Sequence, residues 1–308
     1  MDRDFVTSNE LLLHKLELLK ILSQRDNITF TELVSEIGLD ETTILYLLNE
    51  LKKNFILKIE RDRVSWSHGD NPAKIKPWGW RYVYRVVLGS TMLSARTLDS
   101  WTIVIAEHQT RGYGRHRRPW ISNLGGLWLT AKLEIDPKIT PALPMYIPTV
   151  LCRYFREKHR IHVGIKWPND LIYKEKKLAG FLIEGEIMLD KARVYIGLGV
   201  NVNNDPPLET STSLKEIIGK LTPRNSLVSF IAGYLTKVED YVKDLRAVQT
   251  EYLDLLETLG RRVVVKVPGG EIVGRVRSIT ETGELVLETD TGLHKFKSDE
   301  VLELRHLS

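Results

Sequence analysis

Cysteine is nearly absent from this chain of 308 residues: Cys152 stands alone, which excludes an internal disulfide framework. No apolar run approaches the length of a membrane span, and the first five residues (Met-Asp-Arg-Asp-Phe) lack the basic region and apolar core of a signal peptide. The eight histidines have neither metal-ligand spacing nor cysteine partners, which argues against a structural metal site. We therefore expect a cytoplasmic protein with no membrane partner.

The composition is that of an ordinary soluble protein, but its charge is unevenly distributed. Hydrophobic residues make up 43% and charged residues 27% of the chain, and the length is sufficient for two or three domains. Residues 1–70 carry nine Lys and Arg residues against thirteen Asp and Glu residues, a net charge of −4, while the remainder carries +8. The basic character of the chain therefore lies outside residues 1–70.

Periodicity and turn residues divide the chain into segments that together predict an α+β protein. In residues 1–67, apolar residues at helical spacing and a short turn predict a winged helix-turn-helix, with helices at 9–24, 29–37 and 41–53 and a hairpin of 55–60 with 63–66. Residues 68–79 mix proline, glycine and charge without periodicity, which indicates a linker.

The remaining sequence predicts a large mixed domain and a small β domain. Residues 80–259 alternate β-rich runs with helical stretches at 144–159 and 227–258, which favours a mixed sheet carrying helices. The β-rich runs are 82–88, 102–106, 126–133, 177–187 and 193–202. In residues 260–308 short strands at 263–267, 272–279, 285–288 and 293–297 alternate with turn signals, and this pattern predicts a small β barrel.

The segment from Gln109 to Trp120 crowds four arginines and two glycines into one loop after an apolar run. Glycines let backbone N–H groups approach a phosphate, and guanidinium groups bind its oxygens with charge-assisted hydrogen bonds. The loop therefore has the composition of an anion clamp. An arginine-rich loop is more often a solvated surface or a nucleic-acid patch, so the loop alone does not decide between these functions.

Three further motifs follow the loop in a fixed order. They are Lys166-Trp-Pro-Asn-Asp170, Lys176-Lys-Leu-Ala-Gly180 and Gly197-Leu-Gly-Val-Asn201. With the loop, these motifs resemble biotin protein ligases, and the resemblance extends over nearly the whole chain to the bifunctional type that is also a biotin-operon repressor. It implies a winged helix-turn-helix at 1–67, a linker at 68–79, a class II synthetase-like catalytic domain at 80–259 and an SH3-like β barrel at 260–308.

The resemblance implies a two-step reaction that uses ATP, biotin and Mg²⁺. The carboxylate of biotin attacks the α-phosphorus of ATP, and a lysine of a biotin carboxyl carrier protein or domain then attacks the resulting biotinyl-5′-AMP. Lys177 matches the lysine that bridges carboxylate and phosphate, Arg115 the arginine that holds the adenylate, and Asp170 an acid that steers the acceptor amine. Lys177 could otherwise be a solvated lysine at a strand edge, and Asp170 a turn cap. We assign no protein ligand to Mg²⁺, which is expected to arrive with the nucleotide.

The resemblance also implies a set of residues that bind the two substrates. Ser90, Thr91, Met92 and Gln109 match the biotin contacts, although Ser90 could also be the N-cap of a helix. The predicted contacts to the adenylate and to the ligand backbone are Gly112, Tyr113, Gly114, Arg115, Arg118, Trp120, Lys177, Gly180, Gly197, Gly199 and Asn201. Gly89, Met92, Tyr113 and Arg117 depart from the family pattern. The two strand glycines could instead mark a bulge.

DNA binding is a second expectation from the resemblance, with operator DNA and a homodimer as partners. The presumed recognition helix and its end supply the candidate contacts, which are Thr42, Thr43, Tyr46, Lys52 and Lys53. The acidic balance of residues 1–70 makes this module a weak general attractor of DNA. Two other functions remain open: a lipoate–protein ligase, and a non-catalytic transcription factor that senses biotin.

Overall fold

The computed structural model describes residues 8–307. The N-terminal module, residues 8–67, contains three helices and a small antiparallel sheet of order β1-β3-β2. Its elements are α1 (Ser8–Gln24), β1 (Ile28–Thr29), α2 (Phe30–Ile37), α3 (Glu41–Leu51), β2 (Leu57–Glu60) and β3 (Arg63–Trp66). The predicted helices and hairpin are present, and residues 1–7 of the module lie outside the described residues.

Local capping explains where the second and third helices begin and end. Thr29 and Glu32 form a capping box at the start of α2, and Gly38 ends that helix with a left-handed φ of 76°. Asp40 then accepts a hydrogen bond from the backbone N–H of Thr43 and so forms the N-cap of α3. The turn between α2 and α3 is therefore fixed by side chains that lie within it.

The segment of residues 68–79 is irregular except for a 3-10 turn at Pro72–Lys74, and it is packed against the rest of the protein. Asp70 and Asn71 are buried. Asp70 accepts hydrogen bonds from the Trp66 indole at 2.9 Å and from the Ile56 backbone at 3.0 Å. This segment therefore joins the N-terminal module to the central domain through buried polar contacts.

Arg224 is the centre of that junction and is 1% exposed. Its guanidinium donates to Asp70 Oδ1 at 2.9 Å and to Glu107 Oε2 at 2.7 Å, and both carboxylates are completely buried. The same guanidinium lies over the rings of Phe55 and Trp66 of the N-terminal module. One arginine of the central domain therefore binds the module, the connecting segment and strand β5 (Thr102–Gln109).

The central domain is built on a seven-stranded mixed sheet of order β4-β5-β6-β10-β9-β8-β7. Strands β4 and β5 are parallel, and the other neighbours are antiparallel. Besides β5, its strands are β4 (Arg81–Leu88), β6 (Leu127–Ile135), β7 (Gly164–Lys166), β8 (Asp170–Tyr173), β9 (Lys176–Ile187) and β10 (Ala192–Val200). The predicted mixed sheet is confirmed, although the short strands β7 and β8 were not predicted.

The helices of the central domain differ from the prediction at one place. The long helical stretch predicted at 227–258 is wrong, because the chain forms three helices there. Asp244 accepts hydrogen bonds from the backbones of Arg246 and Ala247 and so begins a new helix inside the predicted stretch. The helices are α4 (Thr91–Arg96), α5 (Leu143–His159), α6 (Leu214–Ile218), α7 (Asn225–Thr236), α8 (Val238–Tyr241) and α9 (Leu245–Asp254).

The C-terminal domain is a five-stranded antiparallel sheet of order β14-β13-β12-β11-β15. Its strands are β11 (Arg262–Val267), β12 (Gly270–Ile279), β13 (Leu285–Thr289), β14 (Gly292–Phe296) and β15 (Glu303–His306). The sequence predicted the first four of these and missed β15. Across residues 8–307, no helix has the length and apolar character needed to span a membrane.

Candidate active site

A narrow cavity of about 40 Å³ opens where the segment Gln109–Trp120, here called the arginine loop, meets the central sheet. One wall is the start of α4, the second is the loop, and the third is the facing ends of β9 and β10. The predicted residues that line it are Ser90, Thr91, Met92, Gln109, Tyr113, Gly114, Trp120, Gly180, Gly197 and Gly199. The structure therefore gathers ten predicted residues from four sequence motifs around one space.

The floor of the narrow cavity is a chain of polar side chains. Gln109 Oε1 accepts hydrogen bonds from the Thr91 backbone at 2.8 Å and from the Thr91 hydroxyl at 3.1 Å. Thr130 donates to the Thr91 hydroxyl at 2.9 Å, and Gln109 Nε2 donates to Ser122 Oγ at 2.9 Å. Ser90 is the N-cap of α4, as one interpretation predicted, and it also lines the cavity, where its contact to biotin stays a prediction. These groups fix the orientation of hydrogen-bonding partners at the bottom of the cavity.

Gly197 and Gly199 allow side chains to lie directly on strand β10. A Cβ atom on Gly199 would be 2.3 Å from the indole of Trp120, and one on Gly197 would be 2.9 Å from the sulfur of Met92. The pairing of β10 with both neighbours continues through the two glycines without a register shift. The glycines therefore mark a close approach, and the alternative prediction of a bulge is wrong.

Lys177 and Asp170 meet beside Trp120. Lys177 Nζ lies 2.7 Å from Asp170 Oδ1 and 5.0 Å from the centre of the Trp120 ring. Backbone hydrogen bonds from Lys177 N to Thr210 O and from Thr212 N to Lys177 O fix the strand on both sides of the lysine. Trp120 Nε1 is buried, and it has no hydrogen-bond partner within residues 8–307. The cation, the carboxylate and an unsatisfied indole N–H therefore face the same space.

A wide cavity of about 320 Å³ adjoins the narrow one at Gly114, Trp120 and Asn169. Its cationic lining residues are Arg115, Arg118, Lys166 and Lys177. The C-terminal domain closes its far side with residues of the segment 302–304. Residues that the sequence places in separate domains therefore share one positively charged space.

Arg115 joins the loop to the C-terminal domain, together with His116, whose Nε2 lies 3.0 Å from the Val301 carbonyl. Its guanidinium donates to the Val301 carbonyl at 2.7 Å, to the Ser298 carbonyl and to Asn169 Oδ1 at 3.3 Å. Burial lowers the pKa of Arg115 from its usual value. No sequence signal indicates the two carbonyl partners. Asn169 could have been found, because it belongs to the same motif as Asp170.

Two predicted binding residues lie off the cavities. Asn201 is buried at the end of β10 and accepts a hydrogen bond from Asn204 Nδ2 at 2.9 Å, and it lines neither cavity. Gly112 lies behind the cavity, where a Cβ atom would be 2.9 Å from the Trp120 carbonyl. The predicted ligand contacts of both residues stay predictions, and the structure shows a supporting role for each. Asn201 fixes the turn after β10, and Gly112 permits the tight return of the loop.

The five candidate DNA contacts occupy the exposed side of α3 and its C-terminal end. Thr42, Tyr46 and Lys52 are exposed. The hydroxyl of Thr43 donates to Asp40 Oδ2 at 2.6 Å, and Lys53 Nζ lies 2.5 Å from Glu50 Oε1. Thr43 and Lys53 are therefore already paired within the module, while the other three side chains face solvent.

Metal ligands do not cluster in the described part of the chain. Within residues 8–307, no group of three or more His, Cys, Asp or Glu side chains is placed to hold a metal ion.

Comparisons with known proteins match the two parts of this site. Residues 87–201 match the Biotin/lipoate A/B protein ligase family, and residues 258–302 match the Biotin protein ligase C terminal domain. The chain is 28% identical over 315 residues to the Bifunctional ligase/repressor BirA of Bacillus subtilis, covering 92% of this chain and 97% of that protein. It is 30% identical over 216 residues to the protein of the same name from Salmonella typhimurium, covering 66% of this chain and 67% of that one.

A solved structure shows a similar arrangement. The biotin protein ligase from Aquifex aeolicus in complex with biotin and ATP has a TM-score of 0.64 and is 26% identical. The similarity covers 74% of this chain and 99% of that one.

Proposed function

This chain belongs to the biotin protein ligase family, and on that premise we propose that its two cavities activate biotin with ATP and transfer it to a lysine of a biotin carboxyl carrier protein or domain. The chain is an enzyme of the biotin–protein ligase class. The observation that carries the proposal is the position of Lys177. It lies at the wide, cationic cavity, beside the Trp120 ring that the two cavities share.

The first step joins two anions, and the site supplies the charge that this step needs. A carboxylate oxygen of biotin forms a bond to the α-phosphorus of ATP, and the bond from that phosphorus to the bridging oxygen breaks as pyrophosphate leaves. Lys177, Arg115 and Arg118 would hold the oxygens on which negative charge develops. Arg115 would exchange its carbonyl partners for phosphate oxygens, which accept stronger, charge-assisted hydrogen bonds.

The second step uses the acid beside Lys177. The acceptor amine forms a bond to the acyl carbon of biotinyl-5′-AMP, the bond from that carbon to the phosphate oxygen breaks, and AMP leaves with the electron pair. Asp170 would bind the incoming ammonium group and accept the proton that it loses. Its 2.7 Å distance from Lys177 supports this role, because Lys177 would bind the reacting carboxyl group.

The polar floor of the narrow cavity favours biotin over lipoate. The ureido ring of biotin has two N–H donors and a carbonyl acceptor, and Ser90, Thr91 and Gln109 offer matching groups. The dithiolane ring of lipoate has no N–H or C=O group that could bond to these side chains, so the polar floor contributes no hydrogen bond to its binding. We infer no step through a metal ion, since Mg²⁺ would come with the phosphates and keep most of its waters.

Gly199→Ala tests whether the close approach at β10 is needed for binding. The new methyl group would meet the Trp120 ring at 2.3 Å and displace the indole that lines both cavities. We expect the KM for biotin to rise by about tenfold or more, with thermal stability nearly unchanged. Gly233→Ala is the matched control, because a Cβ atom there meets nothing within 4 Å. Equal KM values in the two variants would show that the position of Trp120 is not needed.

The transfer step is tested with a carrier domain. The purified protein, ATP, Mg²⁺, biotin and an isolated biotin carboxyl carrier domain should yield a biotinylated carrier that is detectable with avidin. A carrier whose acceptor lysine is replaced by arginine is the control. Labelling of both carriers alike would contradict a specific transfer.

We further propose that the N-terminal module is a winged helix that binds operator DNA as part of a biotin-responsive homodimer, and that the C-terminal sheet is an SH3-like barrel. The turn between α2 and α3 and the hairpin β2–β3 support the first proposal, as does the repressor role in the names of the two bacterial relatives. Thr42, Tyr46 and Lys52 are the free side chains that would reach DNA.

Gel shifts with the promoter of its own biotin genes test the repressor proposal. We expect binding to strengthen with biotinyl-5′-AMP and to fall about tenfold in Tyr46→Ala, because each good contact to DNA contributes about 1–3 kcal/mol. Leu13→Ala on α1 is the control, since Leu13 is also exposed. The absence of a shift in either ligand state would refute DNA binding.

A further inference from the structure

Tyr113 ties the arginine loop to two elements of the central domain. Its hydroxyl donates a hydrogen bond to Glu184 Oε2 on β9 at 3.3 Å. Arg96 at the end of α4 donates to the same oxygen at 2.6 Å. The loop, the strand and the helix that surround the narrow cavity are therefore connected at one carboxylate.

The ring of Tyr113 is held as well as its hydroxyl. It packs against a small apolar cluster that includes Met92 and Leu182, two residues that also line the narrow cavity. The guanidinium of Arg117 lies 4.3 Å from the centre of the ring. A phenylalanine at this position would keep the ring contacts and lose only the hydrogen bond to Glu184.

A second side-chain anchor of the loop, at Arg115, is one that the proposed reaction has to break. Arg115 holds the tip of the loop by its bonds to the carbonyls of Ser298 and Val301. When Arg115 turns to a phosphate, its own bonds to the C-terminal domain are lost, and His116 Nε2 remains 3.0 Å from the Val301 carbonyl. The bond from Tyr113 to Glu184 does not involve the Arg115 guanidinium, so it can still hold the loop while Arg115 binds a phosphate.

The loop also has to open before a ligand can enter. Ligand sites for small molecules have volumes of about 300 Å³ or more, whereas the narrow cavity has about 40 Å³ between its walls. Two walls of the cavity belong to a helix, α4, and a strand, β9. The third wall is the loop, which beyond Gln109 is not part of an α-helix or of the sheet. Admission of biotin therefore requires the loop to leave its present position, and the Tyr113 contact opposes that movement.

We propose that Tyr113, Glu184 and Arg96 form a latch that keeps the arginine loop closed, and that Tyr113 is a positioning residue that sets how fast ligands enter and leave the narrow cavity. The effect of the latch on release of the acyl-adenylate rests on the proposed function, whereas the existence of the latch does not depend on that function.

Limited proteolysis of the full, ligand-free chain tests the latch without reference to catalysis. Trypsin cleaves after Arg115 and Arg117, and the fragments can be assigned by mass spectrometry. We expect cleavage in the loop to be about fivefold faster in Tyr113→Phe and in Glu184→Gln than in the wild type, because a hydrogen bond to a charged group is lost. Tyr241→Phe is the control, since Tyr241 is 48% exposed and its hydroxyl is not part of the site. Equal cleavage in all four proteins would overturn the latch.

Release of preformed biotinyl-5′-AMP measures the consequence. In a chase with unlabelled biotin, we expect the adenylate to leave Tyr113→Phe and Glu184→Gln about fivefold faster than the wild type, while the rate of its formation at saturating biotin in Glu184→Gln changes less than about twofold. Unchanged release with normal formation would show that the latch does not control the site. If the wild type forms no adenylate, the proposed function fails, and the proteolysis experiment still decides whether the latch exists.

Discussion

Lys177→Ala should lower the rate of biotinyl-5′-AMP formation by about a hundredfold to a thousandfold, the usual effect of removing one group that stabilises the charge of a transition state. Lys177 lies next to Asp170 and the Trp120 ring, where the carboxylate and the α-phosphate would meet. Lys176, the other lysine of the same motif, cannot replace it, because Lys176 precedes it on β9 and its side chain is exposed to solvent. The measurement is single-turnover formation of the adenylate with saturating ATP and biotin.

Lys176→Ala is the matched control for Lys177→Ala. It removes the same charge from the neighbouring position, and we expect less than about a twofold change in rate. The melting temperature of both variants should stay close to that of the wild type, since Lys177 is only half-buried and its side chain is not part of the apolar core. A similar loss of rate in both variants would mean that the rate depends on the total positive charge near the site rather than on the position of the Lys177 ammonium group.

Arg224→Ala should reduce the free energy of unfolding by about 3–5 kcal/mol, which is the usual cost of leaving buried charges without their partner. Asp70 and Glu107 would both lose the guanidinium while remaining completely buried. This loss is a large part of the free energy of unfolding of a typical protein, which is about 5–15 kcal/mol. Urea unfolding measures it, with Arg246→Ala as a control because the pair of Arg246 with Glu281 lies on the surface.

The loss of stability in Arg224→Ala should be larger at high pH than at low pH. Burial raises the pKa of Glu107 in the folded protein, and the charge of Arg224 opposes that increase. Without Arg224 the folded pKa rises further above the unfolded value, so folding favours the protonated acid, and the stability that this contributes is lost as pH rises. Arg224→Ala should therefore be less destabilised at pH 5 than at pH 8. An equal or larger loss at pH 5 would contradict the assignment of Glu107.

Local signals explain the elements that the sequence predicted correctly. Helix α3 follows from Asp40 at its N-cap and from leucines at helical spacing, both of which are visible within a dozen residues. Strand β15 was missed because Glu303–His306 is short and mostly polar, and it exists through pairing with β11. The break in the predicted helix at 227–258 depends on Asp244, whose capping role a charged residue in a helical pattern does not reveal.

The site was predicted to the extent that its residues fall in compact motifs. The order of those motifs indicated Lys177, Asp170 and Trp120, which the structure places together. The partners of Arg115 in the C-terminal domain and the burial of Arg224 could not be predicted, because each depends on residues far away along the chain. Contacts of this kind follow from how the domains pack, for which one sequence has no local signal.

Mass spectrometry of the products tests the central claim most directly. The purified protein would be incubated with ATP and Mg²⁺ and either biotin or lipoate, and the acyl-adenylate and pyrophosphate would be measured. A cavity with a polar floor at Thr91 and Gln109 and with Lys177 nearby predicts biotinyl-5′-AMP in the first reaction and little product in the second. Formation of lipoyl-5′-AMP alone, or of neither adenylate, would contradict it.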